Sequence, residues 1–141
     1  MIQIEMVNEN NYSFAHNFLT SVPSISEIDD NILKNGCIVV ECKKILGSIA
    51  YEDYDRVGLI RYFVFKKNLS DNILTNLMVE LEKVAKTNNI EKLLCVADNN
   101  EIEVLFEALG FTILNKKIFL NEEKIGGTSF KESKFLIKSI V

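Results

Sequence analysis

The chain has 141 residues, 48% of them hydrophobic and 26% charged, with a net charge of −4; this is the composition of one globular domain spanning 1–141, not of a disordered chain. No apolar run approaches the ~20 residues that cross a bilayer, and no segment gathers Lys and Arg into a nucleic-acid or anionic-membrane footprint. The opening MIQIEMVNENN lacks the basic head and apolar stretch of a secretory signal, and a net negative surface means that any anionic ligand needs a local positive pocket.

Three cysteines, Cys37, Cys42 and Cys95, show no CxxC spacing, which predicts reduced thiols in a cytoplasmic protein. Cys37 and Cys95 lie in apolar runs and read as small buried hydrophobes. The single His16 has no Cys or His partner nearby in sequence, so it reads as an exposed side chain and no metal site is expected.

In chain order, residues 2–7 alternate as a half-buried strand does. Asn8 to Asn11 then offer capping side chains for a helix over 12–22, with Tyr12, Ala15, Leu19 and Val22 on one stripe. Pro23 and Ser24 break it, and a short helix is expected over 26–33, closed by Asn35 and Gly36. Residues 37–42 and 45–52 form a hairpin about a Lys43-Lys44 turn, followed by an acidic loop, Glu52 to Asp55. Residues 57–65 are almost continuously apolar, which predicts a central strand buried on both faces.

After a polar break comes the clearest helix, with Ile73, Leu74, Leu77, Met78, Leu81, Val84 and Ala85 on one 3.6-period stripe. Residues 92–97 are another buried strand. Asp98 to Asn100 cap a helix striped by Ile102, Leu105, Phe106 and Leu109 and stopped by Gly110. Residues 111–120 and 133–140 read as two closing strands around the loop NEEKIGG. The order β-α-α-β-β-β-α-β-α-β-β predicts an α/β (α+β) domain. Its mixed sheet has six to seven strands, antiparallel early and with one parallel crossover over 57–97, and carries helices on both faces.

Three stretches resemble the GNAT superfamily of N-acyltransferases: the hairpin CIVVECKKILGSIAYE, the strand GLIRYFVF with the helix after it, and NNEIEVLFEALGF, where Asn99, Phe106, Gly110 and Phe111 fall at the family's spacing. The resemblance covers nearly the whole chain. It implies acetyl-CoA as co-substrate and a fourth strand that splays from the fifth to admit the pantetheine arm beside Phe63, Val64 and Phe65. A backbone N–H near Val64 or Phe65 would hold the thioester carbonyl. It also implies a loop ahead of the long helix whose amides hold the pyrophosphate, here Ser70, Asp71, Asn72, Ile73 and Leu74, with Phe106 of the last helix beside the cofactor and Asn99, just before that helix, touching the cofactor arm or stabilising the helix.

The sequence departs from the family's pattern at that loop and at two catalytic positions. The family's loop carries an Arg or Gln and two small residues, Gly then Gly or Ala; Leu69 to Leu74 contain no glycine and no Arg, and Asp71 puts a carboxylate there. Ser70 or Asp71 reads equally as the helix N-cap, and Lys66 and Lys67 as neutralising or merely solvated charge. The strand position often held by a carboxylate base is Gly58, and the position of the proton-donating Tyr is Phe106. Substitutes for these roles are Tyr62, Tyr54, Glu52 and Asp53, each with a structural alternative. Arg61 matches family members that clamp a substrate carboxylate; a protein acid such as Asp53 or Asp55 is the competing partner.

Two functions follow from these residues. One is an N-acyltransferase moving an acetyl group from acetyl-CoA to a small-molecule amine, an amino acid among the options. The other is a catalytically degenerate domain that serves as a binding or interaction module, including a homodimer through the closing strands.

Overall fold

A computed structural model describes residues 1–66, 69–114 and 134–141. The elements follow the expected order: β1 (Ile2–Met6), α1 (Tyr12–Thr20), α2 (Asp30–Leu33), β2 (Cys37–Glu41), β3 (Lys44–Asp53), β4 (Val57–Phe65), α3 (Asp71–Thr87), β5 (Lys92–Ala97), α4 (Asn100–Ala108), β6 (Thr112–Ile113) and β7 (Lys134–Ser139). The seven strands form one mixed sheet in the order β1-β2-β3-β4-β5-β7-β6. Only β4 and β5, joined through α3, run parallel; the other neighbours are antiparallel.

Two tight turns set the register of the first half. Cys42 and Lys43 (φ 50° and 65°), and Asp55 and Arg56 (φ 61° and 69°), each place two consecutive residues in the left-handed region. Such two-residue turns match the twist of a hairpin. The first turn is therefore one residue earlier than expected, and the expected acidic loop is instead a hairpin. Glu52 and Asp53 lie inside β3, and the Tyr54 amide donates to the Val57 carbonyl at 2.8 Å.

The helices divide between the faces of the sheet. Leu74, Leu77, Met78, Leu81, Val84 and Ala85 of α3 are buried as one stripe, in a cluster with Val39, Ile49, Tyr51, Ile60, Leu93 and the α4 residue Phe106. Each such Leu contributes about 1.5–3 kcal/mol by leaving water. On the opposite face Ala15 and Leu19 of α1 and Ile32 and Leu33 of α2 pack with Ile38, Ala50 and Tyr62. Cys37 and Cys95 are buried as expected, and burial pushes both thiols up to about 12, so they stay neutral at physiological pH.

Two helix starts differ in detail from the sequence expectation. Asn11 occupies the cap position of α1 but does not cap it. Its Oδ1 accepts from the Asn8 amide at 2.8 Å, while Asn8 Oδ1 accepts from the amides of Asn10 (2.8 Å) and Asn11 (3.1 Å). α2 begins only at Asp30. Asp29 caps it in an extended conformation, accepting from the Asn31 amide at 2.8 Å, and the Asp29 amide is held by Tyr62 Oη at 2.8 Å. Residues 26–29 are thus drawn out of the helix toward the sheet. His16 is half-buried against the Tyr12 ring, 6.1 Å between centroids, and not freely exposed.

At the other end α4 stops at Gly110 (φ 99°). Lys138 of β7 reaches over it, donating to the Leu109 carbonyl at 3.0 Å and to Glu82 Oε2 of α3 at 2.7 Å. One cation thereby ties β7 to both helices of that face and satisfies a helix-end carbonyl. The closing strand expected over 111–120 is described as Thr112–Ile113; residues 115–120 and the NEEKIGG stretch lie outside the described residues. No helix among the described residues is long and apolar enough to cross a membrane.

Lys138→Met should lower unfolding free energy by about 2 kcal/mol, because it leaves the largely buried Glu82 carboxylate and a helix-end carbonyl without their donor. Adding Glu82→Gln should restore part of that loss. Urea unfolding of the single and double variants measures both; a loss under about 0.5 kcal/mol would make the knot an ordinary surface pair.

Candidate active site

A gap opens in the middle of the sheet. β4 pairs with β5 only at Val57↔Lys92, Gly58↔Leu93 and Leu59↔Leu94. Beyond that point β4 stays with β3 as far as Gly47↔Phe65, and β5 stays with β7 as far as Ala97↔Lys134. From Ile60 onward the two central strands therefore part.

A bulge in β4 lies just past the divergence. Ser48 pairs with Val64 but Ala50 with Arg61, so Tyr62 and Phe63 both oppose Ile49. A bulge bends and twists its strand. Tyr62 sits at φ 54°, where a non-glycine residue costs about 1–2 kcal/mol. Three contacts hold it there. Ser48 Oγ donates to the Tyr62 carbonyl at 2.7 Å, Tyr62 Oη accepts from the Asp29 amide, and the ring is buried under α1 and α2.

The bulge also decides which main-chain groups face the gap. The Lys66 amide donates to the Leu46 carbonyl at 2.9 Å, so Lys66–Leu46 is a hydrogen-bonded antiparallel pair and Val64–Ser48, two residues back, is another. Phe65 lies between them and turns its N–H away from β3 toward the gap. Of the two amides anticipated from the sequence, Phe65 faces the opening and Val64 faces β3. Gly47 makes room for this arrangement: a Cβ there would stand 3.1 Å from Phe65 Cβ.

The start of α3 lies just after this strand end. Ser70, not Asp71, is the N-cap; its Oγ accepts from the Ile73 amide at 3.3 Å, and the Ile73 and Leu74 amides both reach the Ser70 carbonyl at 3.1 Å. Asp71 and Asn72 are exposed in the first turn, where the helix offers their amides no acceptor. Lys66 is exposed nearby, while Lys67 and Asn68 lie outside the described residues. A groove of about 640 Å³ continues between α3 and α4, lined by Asp71, Leu74, Asn100, Val104 and Leu105. Asn99 caps α4, its Oδ1 accepting from the Ile102 amide at 2.9 Å.

On the α3/α4 face, aromatic rings reach from β4 to α4. Phe63 meets Phe65 (5.1 Å between centroids) and the edge of Phe106 (5.3 Å), which in turn meets Phe111 (5.1 Å). Phe106 is buried and carries no hydroxyl at the position expected of a proton donor. Gly58 is crowded as well as bare. A Cβ there would lie 3.0 Å from both the Tyr51 ring and Leu93 Cδ2, so a side chain at this position would have to push both aside. Tyr51, fully buried, is fixed by Asn88 Nδ2 donating to its hydroxyl at 2.7 Å.

On the α1/α2 face Arg61, Tyr62, Glu52 and Tyr54 converge, whereas Asp53 accepts from the Asp55 amide of the turn at 2.8 Å. The bulge turns Arg61 and Tyr62 to the same side, with the guanidinium 5.6 Å from the Tyr62 ring centroid. Arg61 Nη1 meets Glu52 Oε1 at 2.6 Å, each side chain about one-third exposed. The partner acid is thus Glu52, not Asp53 or Asp55. Burial pushes the Tyr54 phenol up, reinforced by the charge of Glu52 and a hydrogen bond with it and opposed by Arg61, so Tyr54 is a neutral hydroxyl at physiological pH. Tyr62 is committed to Asp29. Glu52, Tyr54 and Tyr62 are therefore all engaged, and none stands as an unpaired base.

A groove of about 300 Å³ runs over Arg61, Tyr62, Phe63 and Val64 beneath Ser24, Ile25, Ser26 and Glu27. A wider one of about 900 Å³ lies around the C-terminal half of α3, far from the α3 N-terminus, with Glu52 among its lining residues. Three contributors were not anticipated from sequence: Ser48, Tyr51 and the segment 24–27. The polar Ser48 inside an apolar strand was the one available signal.

No family model and no curated protein matches the chain. Solved structures do. N-acetylglutamate synthase from Neisseria gonorrhoeae, complexed with coenzyme A and N-acetyl-glutamate, superposes with a TM-score of 0.76 at 14% identity over 100% of this chain and 35% of that one; the chain thus spans about a third of that enzyme. A GNAT-family acetyltransferase from Staphylococcus aureus Mu50 gives 0.68 at 14% identity over 100% of both chains. Tetrahymena GCN5 gives 0.68 at 21% identity over 100% of this chain and 96% of that one. With its splayed central strands, bulged β4 and crossover helix α3, the chain has the fold of the GNAT acetyltransferases.

Proposed function

We propose that the chain is an N-acyltransferase that moves an acetyl group from acetyl-CoA to the amine of a small molecule. The observation that carries this reading is the gap beyond Leu59 and Leu94 with the Phe65 amide turned into it. Strand edges whose partner has departed offer donors and acceptors to an extended arm. One further donor aimed into a partly dry slot suits a carbonyl oxygen that gains charge as it reacts. The exposed first-turn amides of Asp71 and Asn72, at the positive end of α3, suit the diphosphate, aided by Lys66. The main chain thus fits coenzyme A, and the adverse elements are the Asp71 carboxylate and the capping Ser70 hydroxyl. Bound there, acetyl-CoA supplies an acyl group already activated as a thioester.

The chain's own contribution is positioning more than proton transfer. Gly58 carries no side chain, and Glu52, Asp53, Tyr54 and Tyr62 are engaged elsewhere. The acceptor therefore arrives as its free-amine form from solution, and alignment in the gap supplies the acceleration. A second reading, a binding domain without turnover, is favoured by the Phe63–Phe106 contact, which fills the α3/α4 side of the opening with rings.

Calorimetry and thermal melting with acetyl-CoA separate the two readings. A ligand at 100 times its dissociation constant adds about 2.7 kcal/mol to stability, so a melting shift of several degrees is expected. No shift and no heat at millimolar cofactor would favour the second reading. Asp71→Asn should tighten cofactor binding about fivefold, the effect of removing a like charge on the order of 1 kcal/mol; unchanged affinity would place the diphosphate away from α3. With no enzyme base, kcat/KM should rise about tenfold per pH unit until it levels at the acceptor amine's own pKa. An earlier plateau, the same for amines of different basicity, would reveal a base in the protein.

A further inference from the structure

Arg61 has the chemistry to bind a carboxylate and already holds one. Its Nη1 lies 2.6 Å from Glu52 Oε1. The pair is fixed by the backbone: the Asp55-Arg56 turn sets the β3–β4 register so that Ala50 opposes Arg61 and Glu52 opposes Leu59, leaving Glu52 and Arg61 diagonal on one face. The Tyr62 ring beside Arg61 and the Tyr54 phenol beside Glu52 flank the pair on either side. Arg61 lines the groove under residues 24–27 while Glu52 lines the wider one, so the ion pair stands between the two.

We infer that Glu52 is a specificity-determining residue: its side chain fills the carboxylate position on Arg61, so the acceptor is an amine without a carboxylate, and amino acids are excluded. The inference rests on the acyltransferase reading for the word acceptor, but the occupancy of Arg61 can be tested by binding alone. An incoming carboxylate has to displace one that is tethered within the same sheet, whose effective concentration is high because it loses no translational freedom on pairing. It must also approach a face that carries the Glu52 charge. An amine that lacks the carboxylate meets neither obstacle, and a positive charge on it is attracted to Glu52.

L-norleucine and pentylamine differ only by the carboxylate and serve as a matched pair of probes. The protein contains two arginines, Arg56 and Arg61, so the side-chain N–H resonances of Arg61 are readily assigned in ¹⁵N NMR. In the unaltered protein, norleucine to about 10 mM should leave the Arg61 resonance in place. In Glu52→Gln the same titration should shift it, with affinity for norleucine at least about tenfold tighter, as expected for a charge-assisted pair, while pentylamine should lose affinity. Sub-millimolar norleucine binding at Arg61 in the unaltered protein, or a Glu52→Gln protein that folds by circular dichroism but gains no norleucine binding, would overturn the inference. If Glu52→Gln fails to fold, the unaltered protein alone decides it by the first criterion. The NMR switch without turnover on any amine would leave the inference standing and remove the acyltransferase reading; turnover on norleucine equal to that on pentylamine would do the reverse.

Discussion

The bulge at Tyr62 is the constraint on which the rest of the molecule depends. It bends β4 where β5 leaves it, turns the Phe65 amide into the resulting gap, and puts Arg61 and Tyr62 on one face. An aromatic residue does not choose φ 54° unaided. Ser48 below, Asp29 above and the apolar packing of α1 and α2 around the ring over-determine that conformation. The same contact sits at the start of α2, where Asp29 is the extended N-cap whose amide donates to Tyr62 Oη.

The two faces of the gap then take different characters. Under α3 and α4 the opening is floored by Phe63, Phe65, Phe106 and Phe111, and groups that could transfer a proton are absent at Gly58 and Phe106. Under α1 and α2, Glu52, Arg61, Tyr54 and Tyr62 are already paired internally. Such a site offers main-chain donors and shape in place of ionisable side chains. Main-chain donors survive substitutions that strip a loop of its glycines, because every residue other than proline brings its amide. On the proposed function, the amides of Asp71 and Asn72 stand in for the glycines that the loop before α3 lacks.

Much of this was legible in the sequence. The α3 stripe from Ile73 to Ala85, the apolar runs of β4 and β5, and the Asn99…Gly110-Phe111 spacing fixed the element order and the family resemblance, since hydrophobic period and capping residues report local structure directly. The bulge was not legible, because nothing local distinguishes Tyr62 from any other strand aromatic; its conformation is imposed by residues 14 and 33 positions away. The Glu52–Arg61 pair lay between these cases. Had Asp55-Arg56 been taken as a two-residue turn, counting back along both strands would have placed Glu52 opposite Leu59 and diagonal to Arg61. An acidic loop over Glu52 to Asp55, which composition alone suggests, has no such register and conceals the pair. The crowding of Gly58 by the Tyr51 ring was likewise invisible, since it depends on side-chain packing across that same register.

The most direct test of the account is the backbone amide spectrum of the ¹⁵N-labelled protein as coenzyme A is added. Large shifts and slowed hydrogen exchange are expected at Phe65, Asp71 and Asn72, with Val64, already paired to Ser48, protected before and after. Saturating coenzyme A that leaves Phe65, Asp71 and Asn72 unmoved, or a Phe65 amide protected as strongly as Val64 in the free protein, would contradict it.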